Sequence, residues 1–323
     1  MQDNWGRNIH YLRLSVTEQC DLHCRYCRPA GAAEEPPDAL TDPALLRLAG
    51  LFAACGVDTV RLTGGEPLLR PGLPGLVAGL KAIPGIRRVG LTTNGTRLAA
   101  QLPALQAAGL DSVNLSLDAL DAGVYRAITG QNALPAVEAG LRAALAGGMP
   151  LKLNCVPQPG VNETELLPLA ALAAQYPVAV RFIEMMPIGY GAVMPSLSGG
   201  EVLARLQERW PELAPLPGAH GALGEGPALY YTAPGWPGCV GLIMAVHGKF
   251  CARCNRVRLT SRGFLRLCLA SEAGVDLAAP LRAGASDAAL EARIRAAVGQ
   301  KPKEHQFGSA AFAPTRGMYR IGG

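Results

Sequence analysis

No stretch of this 323-residue chain stays apolar for the roughly 18 residues that a membrane-spanning helix requires; its Ala, Leu and Gly runs are broken by Pro or charge. The segment Met1 to His10 lacks the apolar run of a secretory leader, which points to a reducing cytoplasm. There, nine cysteines read as metal ligands or free thiols rather than as a disulfide framework. An excess of one charge is missing too. Thirty Lys and Arg against 25 Asp and Glu leave a net of +5, spread along the chain, so nonspecific binding to DNA or RNA is not expected. No internal repeat is found. Hydrophobic residues make up 49% of the chain, which argues for a filled interior and against disorder. The length favours one large unit with a smaller appendage.

Two cysteine sets each lack a fourth member: Cys20, Cys24 and Cys27, spaced C-x3-C-x2-C, and Cys251, Cys254 and Cys268, spaced C-x2-C-x13-C. A structural zinc usually recruits four protein ligands, whereas three leave a position free for substrate; a [4Fe-4S] cluster on three thiolates leaves one iron open in the same way. Two open metal sites are expected. Polar flanks, Asp21, His23 and Arg25 in one set and Arg253 and Asn255 in the other, argue against buried core thiols. Spacing alone still allows zinc, completed by His23 or His247. Cys55, Cys155 and Cys239 sit singly in apolar stretches and read as inert core.

From Tyr11 to about Met186, strand patterns alternate with helical ones. The strands are expected at 11–16, 59–62, 89–92, 112–117, 151–156 and 178–183, the helices at 43–54, 74–82, 98–108, 134–146 and 163–174. This alternation predicts an α/β fold, a partial six-unit βα barrel over residues 1–200. A smaller α+β domain, residues 201–323, is expected to close the barrel mouth. In it a helix is predicted at 201–208, strands at 229–232, 240–246 and 256–269 with a hairpin turn at Ser261-Arg262-Gly263, and a helix at 288–298. Ligands of such folds lie at the carboxyl ends of the strands. There stand the first cysteine set, Thr63-Gly64-Gly65-Glu66-Pro67, Thr93-Asn94-Gly95 and Asp118. Arg253, Arg256, Arg258, Arg262 and Arg266 surround the second set in a pattern suited to a polyphosphate. Arg256 and Arg258 share one face of an extended strand, and Arg suits bidentate phosphate contact.

Cys20-x3-Cys24-x-Tyr26-Cys27 followed by Gly64-Gly65-Glu66-Pro67 resembles the radical S-adenosylmethionine (SAM) enzymes. The second set sharpens the likeness. Cys251-x2-Cys254-Asn255-Arg256-Val257-Arg258-Leu259, Cys268, and a tail with His305-x-Phe307-Gly308 ending in Gly322-Gly323 are similar to the GTP 3′,8-cyclase family of molybdenum cofactor biosynthesis. The resemblance implies two [4Fe-4S] clusters, one on each cysteine set, with SAM at the first and GTP at the second. It implies catalytic roles for Cys20, Cys24, Cys27, Arg256 and Arg258. SAM contacts would be Tyr26, Gly65, Ser116 and Met186; GTP contacts would be Arg13, Arg61, Thr92, Lys152, Arg256, Val257 and Arg258. It further implies a 5′-deoxyadenosyl radical that abstracts hydrogen from GTP C3′, after which C3′ bonds guanine C8. The implied partners are a flavodoxin- or ferredoxin-type reductant and a downstream cyclic pyranopterin monophosphate synthase, with the enzyme a monomer or homodimer and the Gly-Gly tail functional. Arg28 and Pro187 depart from the family pattern, where Met and Asp are common. Two other readings remain: a peptide-modifying radical SAM enzyme with auxiliary clusters, which would not need the Arg256/Arg258 pair, and a zinc-binding interaction protein.

Overall fold

Alternating burial builds the sheet. In strand β5 (Leu151–Cys155), Leu151, Leu153 and Cys155 are buried while Lys152 and Asn154 between them are less so. One face packs on helices and the other lines a cavity. The computed structural model describes residues 1–31, 39–219, 223–224, 226–307 and 317–321. Six strands lie where the pattern places them, within a residue or two: β1 (Tyr11–Ser15), β2 (Thr59–Thr63), β3 (Arg88–Thr93), β4 (Ser112–Ser116), β5 and β6 (Ala179–Ile183). Helices α1 (Asp42–Ala54), α2 (Leu73–Lys81), α3 (Leu98–Ala107), α5 (Leu134–Ala146) and α6 (Leu166–Gln175) cover them.

Helix α4 (Ala122–Thr129) was not anticipated. Its start is marked by Asp121, whose carboxylate accepts from Val124 N at 2.9 Å, and its end by Gly130 at φ 71°. After α6 come α7 (Gly199–Arg209), opened by a Ser198/Glu201 capping box, and strands β7 (Ala214–Pro215), β8 (Leu229–Thr232) and β9 (Cys239–Ile243). Strands β10 (Arg256–Leu259) and β11 (Phe264–Arg266) form the expected hairpin, with Gly263 at φ 84°. A further strand β12 (Gly274–Asp276) and short helix α8 (Ala278–Arg282) lie between it and α9 (Asp287–Gly299).

The sheet runs β12-β11-β10-β1-β2-β3-β4-β5-β6-β9-β8-β7. Neighbours from β10 through β9 are all parallel. Among the described residues the C-terminal segment thus builds no sheet of its own; β10 extends the barrel at β1 and β9 extends it at β6. One continuous apolar layer, from Leu12, Val60 and Leu91 through Val180 and Val240 to Val257, Leu290 and Ile294, ties both parts together.

Candidate active site

Because β10 is parallel to β1, with Tyr11 opposite Arg256, the start of β10 lies at the amino-terminal rim of the barrel. Cys254 precedes that start, and Cys268 follows β11, which runs back from Arg258↔Arg266. Cys20, Cys24 and Cys27 follow the carboxyl end of β1. The two cysteine sets therefore occupy opposite rims. At about 3.3 Å per residue, the length of β1 separates the rims by on the order of 13–16 Å. A cavity of about 980 Å³ joins them, lined by both sets.

At the carboxyl rim, Gly65 is required by space. A Cβ there would sit 2.1 Å from the carbonyl oxygen of Gln19, and one on Gly64 would sit 2.5 Å from that of Thr17. The two glycines lock the Gly-Gly-Glu-Pro turn against the loop leading into Cys20; Glu66 N completes the lock by donating to Gln19 O at 2.6 Å. The buried Glu66 carboxylate accepts from Leu68 N, Thr93 Oγ1 and Asn94 N at 2.9, 2.7 and 2.7 Å, and burial pushes its pKa up to about 7. Tyr26 donates to Asp118 Oδ2 at 2.7 Å, joining the cysteine loop to the segment after β4. Asp118 is pushed up to about 6 by burial. Ser116 and Met186 line the same end of the cavity. Arg28, the atypical residue of the motif, is buried and lies over the ring of Tyr319, 5.4 Å from its centroid. The tail is less bare than its terminal glycines suggest: Tyr319 and Ile321 are buried, and Met318 lines the cavity. Gly308, Gly322 and Gly323 lie outside the described residues.

Burial, then charge repulsion from the other thiols of the set, pushes Cys27 up to about 12 and Cys24 well above the usual thiol range; Cys20 rises to about 11 through burial and nearby carboxylates. Thiols so placed become thiolates only with a cation to displace the proton, which is the donor chemistry of a metal cluster. In the second set burial likewise raises Cys251, and Cys254 departs from the pattern. Burial raises Cys254, but Arg256, Lys301 and Arg258 overcome it and bring the thiol down to about 7.

Between the rims the lumen is cationic. Arg258, Arg13 and Arg61 stand in register across β10, β1 and β2. Arg13 falls to about 9 and Arg258 to about 10, through burial and then the neighbouring arginines. Cations gathered this way call for an anion. The Nε atoms of Arg256 and Arg258, Thr92 Oγ1 and Asn114 Oδ1 are buried without a hydrogen-bond partner among the described residues. Arg61 is more committed: its guanidinium donates to Tyr11 OH, Leu91 O and Ser112, and Gly90 leaves it room, since a Cβ there would lie 2.4 Å from its Cζ. Lys152 donates to Leu223 O, and burial pushes it down to about 7.

Every residue expected at the site lines this cavity except Val257, whose side chain turns to the opposite face of β10 and into the core. Of the five arginines near the second set, only Arg256 and Arg258 line it. Arg262 pairs with Glu18 at 3.0 Å, the buried Arg266 pairs with Glu272 at 3.0 Å, and Arg253 borders a smaller cavity of about 400 Å³ that shares Cys254 and Arg256 with the main one. Arg181 on β6 was missed; the resemblance supplied Arg13 and Arg61, and Arg181 stands inside a strand pattern as they do. It lines the lumen and donates to Asn154 Oδ1 at 2.9 and 2.6 Å. Glu184 was missed as well. This buried carboxylate accepts from Gly199 N, Val246 N and His247 N at 2.9, 2.8 and 3.1 Å, so it holds the connection between β9 and the second cysteine set. Cys55 and Cys155 are buried as expected, the Cys155 thiol near Asp118 O and Asn162 Nδ2, whereas Cys239, also expected in the core, is buried but lines the cavity.

Among solved structures, Streptococcus suis SuiB bound to S-adenosylmethionine superposes with a TM-score of 0.60 at 16% identity over 85% of this chain and 65% of that one, a likeness of fold. The Radical SAM superfamily model matches residues 14–173 and the Molybdenum Cofactor Synthesis C model matches 178–307. Among curated proteins, the GTP 3′,8-cyclase of Moorella thermoacetica is 42% identical over the whole of both chains, and that of Heliobacterium modesticaldum is 42% identical over the same span. Molybdenum cofactor biosynthesis protein 1 of Bos taurus is 42% identical over 94% of this chain, which spans about half (48%) of that longer protein. Two relatives 42% identical over the whole chain, together with both family models, show that the chain belongs to the GTP 3′,8-cyclase family of radical SAM enzymes.

Proposed function

We propose that this chain converts GTP to (8S)-3′,8-cyclo-7,8-dihydroguanosine 5′-triphosphate, with SAM held at the carboxyl rim and GTP in the lumen toward the amino-terminal rim. The observation that carries this division is the placement of the two cysteine sets at opposite ends of one cavity, with the arginine row between them. Cys20, Cys24 and Cys27 would hold one [4Fe-4S] cluster and Cys251, Cys254 and Cys268 a second. When bound, the first cluster would supply one electron for cleavage of SAM to methionine and a 5′-deoxyadenosyl radical; hydrogen abstraction from C3′ releases 5′-deoxyadenosine, C3′ bonds C8, and a second electron and a proton complete the dihydro product. The protein's own part is to place the groups and exclude competing C–H bonds.

In this reading Arg13, Arg256 and Arg258 meet the triphosphate with charge-assisted bonds, and Arg61, tied to β3 and β4, adds its charge and its remaining donor. Thr92 lends its unspent hydroxyl, and Lys152 exchanges Leu223 O for substrate. Val257 takes part only through its backbone. Tyr26, Gly65, Ser116 and Met186 shape the SAM end. Residues 1–200 then hold the cofactor and lend Arg13, Arg61, Thr92 and Lys152 to the substrate, while 201–323 supply the second cysteine set with Arg256 and Arg258, and the strands of both parts share one sheet. A flavodoxin- or ferredoxin-type carrier supplies the two electrons, and a cyclic pyranopterin monophosphate synthase consumes the product.

The test is anaerobic reconstitution with iron and sulfide analysis, followed by incubation with SAM, GTP and dithionite. About eight irons per chain are expected, with cyclised nucleotide and 5′-deoxyadenosine formed together. About four irons would remove the second cluster, and a colourless, iron-free protein would return the zinc reading.

A further inference from the structure

The amino-terminal rim carries a buried cation outside the expected site residues. Lys301 is 2% exposed and lines the cavity alongside Cys251, Cys254 and Cys268. It follows the carboxyl end of α9, where its backbone N donates to Val298 O at 3.0 Å and a cation complements the helix dipole. Its Nζ donates to the carbonyl of Leu267, the residue before Cys268. That carbonyl uses one of three ammonium donors, and no carboxylate among the described residues pairs with the group. A buried ammonium needs an anionic neighbour. Burial lowers its pKa, and the sulfurs of Cys254 and Cys268, which line the same cavity, oppose that shift.

The lysine is also held from behind. Trp5 Nε1 donates to Lys301 O at 2.9 Å. The buried guanidinium of Arg7, neutralised by Asp3 at 2.6 Å, donates to Cys251 O, Lys303 O and Pro302 O at 2.9, 2.8 and 2.7 Å. One side chain thus ties a cysteine of the second set to the segment that carries Lys301. Arg256 and Arg258 bring positive charge to the same rim, but they face the space that a polyanion would fill; Lys301 is anchored to the chain itself.

We propose that Lys301 is a positioning residue that fixes the charge balance of the second cysteine site, keeping the reduction potential of a [4Fe-4S] cluster there more positive than three thiolates alone would allow. A fixed positive charge in a low-dielectric setting stabilises the added electron. The inference rests on the reading of this trio as a cluster site, and iron content separates the failure of one from the failure of the other.

The experiment is a dithionite titration with redox mediators, followed by electron paramagnetic resonance, on reconstituted wild type, Lys301→Gln and Lys301→Arg. In Lys301→Gln the second cluster's midpoint is expected to move negative by about 59 mV or more, a tenfold smaller reduced-to-oxidised ratio at fixed potential for a one-electron couple. The first cluster and Lys301→Arg should keep wild-type midpoints. An unmoved midpoint in Lys301→Gln carrying about eight irons overturns the proposal, as does an equal shift in Lys301→Arg, which would assign the effect to shape. If Lys301→Gln fails to load, Lys301→Met replaces it. Loading lost in both but kept in Lys301→Arg supports the charge, and loading lost in all three overturns it. A wild type with about four irons refutes the cluster reading instead.

Discussion

Gly65 illustrates how a motif residue reads differently once its neighbours are known. By resemblance it is a SAM contact; in the fold its missing side chain makes room for Gln19 O. Gly65→Ala must therefore shift the loop into Cys20, at a cost of roughly 1–3 kcal/mol. It should lose iron from the first set during gel filtration while the second keeps its own, which iron analysis after Cys254→Ala in the same background would report. Lys152 carries a pH signature. Its pKa near 7 lies below the ordinary 10.5, so between these values the folded protein holds fewer protons than the unfolded chain, and this group favours folding more as pH rises. Triphosphate binding must restore the ammonium and take up a proton above pH 7. GTP affinity measured by calorimetry should fall by up to about tenfold per pH unit from about pH 7.5 to 9, above the phosphate's own titration, and Lys152→Met should flatten that slope. Equal slopes in the two proteins would show that Lys152 does not meet the phosphates.

At the scale of elements, the strands most readable in the sequence are those that bring chemistry to the site. Arg13, Arg61 and Lys152 stand inside β-patterned runs, and a charge there is costly unless the strand faces a polar lumen. The alternation Arg256-Val257-Arg258 places the arginines together and sends Val257 into the core, as period two requires. Less readable was what the other arginines do: Arg262 and Arg266 find their carboxylates only through the turn of the β10–β11 hairpin and the chain beyond it. Helix α4 escaped because its apolar stripe is short and its signals, Asp121 and Gly130, lie at its ends. Arg258→Ala should weaken GTP binding roughly tenfold to a hundredfold, the worth of one charge-assisted bond of about 1.5–3 kcal/mol. Guanosine binding should barely change. Equal losses for both ligands would place the arginine away from the phosphates.

For the molecule as a whole, the α/β alternation and the two cysteine sets were plain in the sequence, but which rim each set occupies was not. That follows from the parallel pairing of β10 with β1, a contact between residues some 245 positions apart, such as Tyr11 and Arg256. Two separated sites predict separable losses. Cys24→Ala should abolish reductive SAM cleavage, whereas Cys254→Ala should lose cyclisation yet still release some 5′-deoxyadenosine under dithionite. Loss of both activities in Cys254→Ala with the first cluster spectroscopically intact would contradict the division. The same pairing bears on how the chain comes into being. β1 emerges early from the ribosome, but one of its edges waits for β10, as the outer edge of β6 waits for β9. Until the last third of the chain arrives, the nascent barrel shows two open parallel edges, the kind of surface on which other chains add strands. A fragment ending near residue 200 should therefore collect in inclusion bodies, and adding residues 201–323 as a separate chain should recover soluble protein. Two-part assembly of this kind would make the fold's final step an edge-to-edge closure, performed around whatever metal the cysteine loops had already taken up.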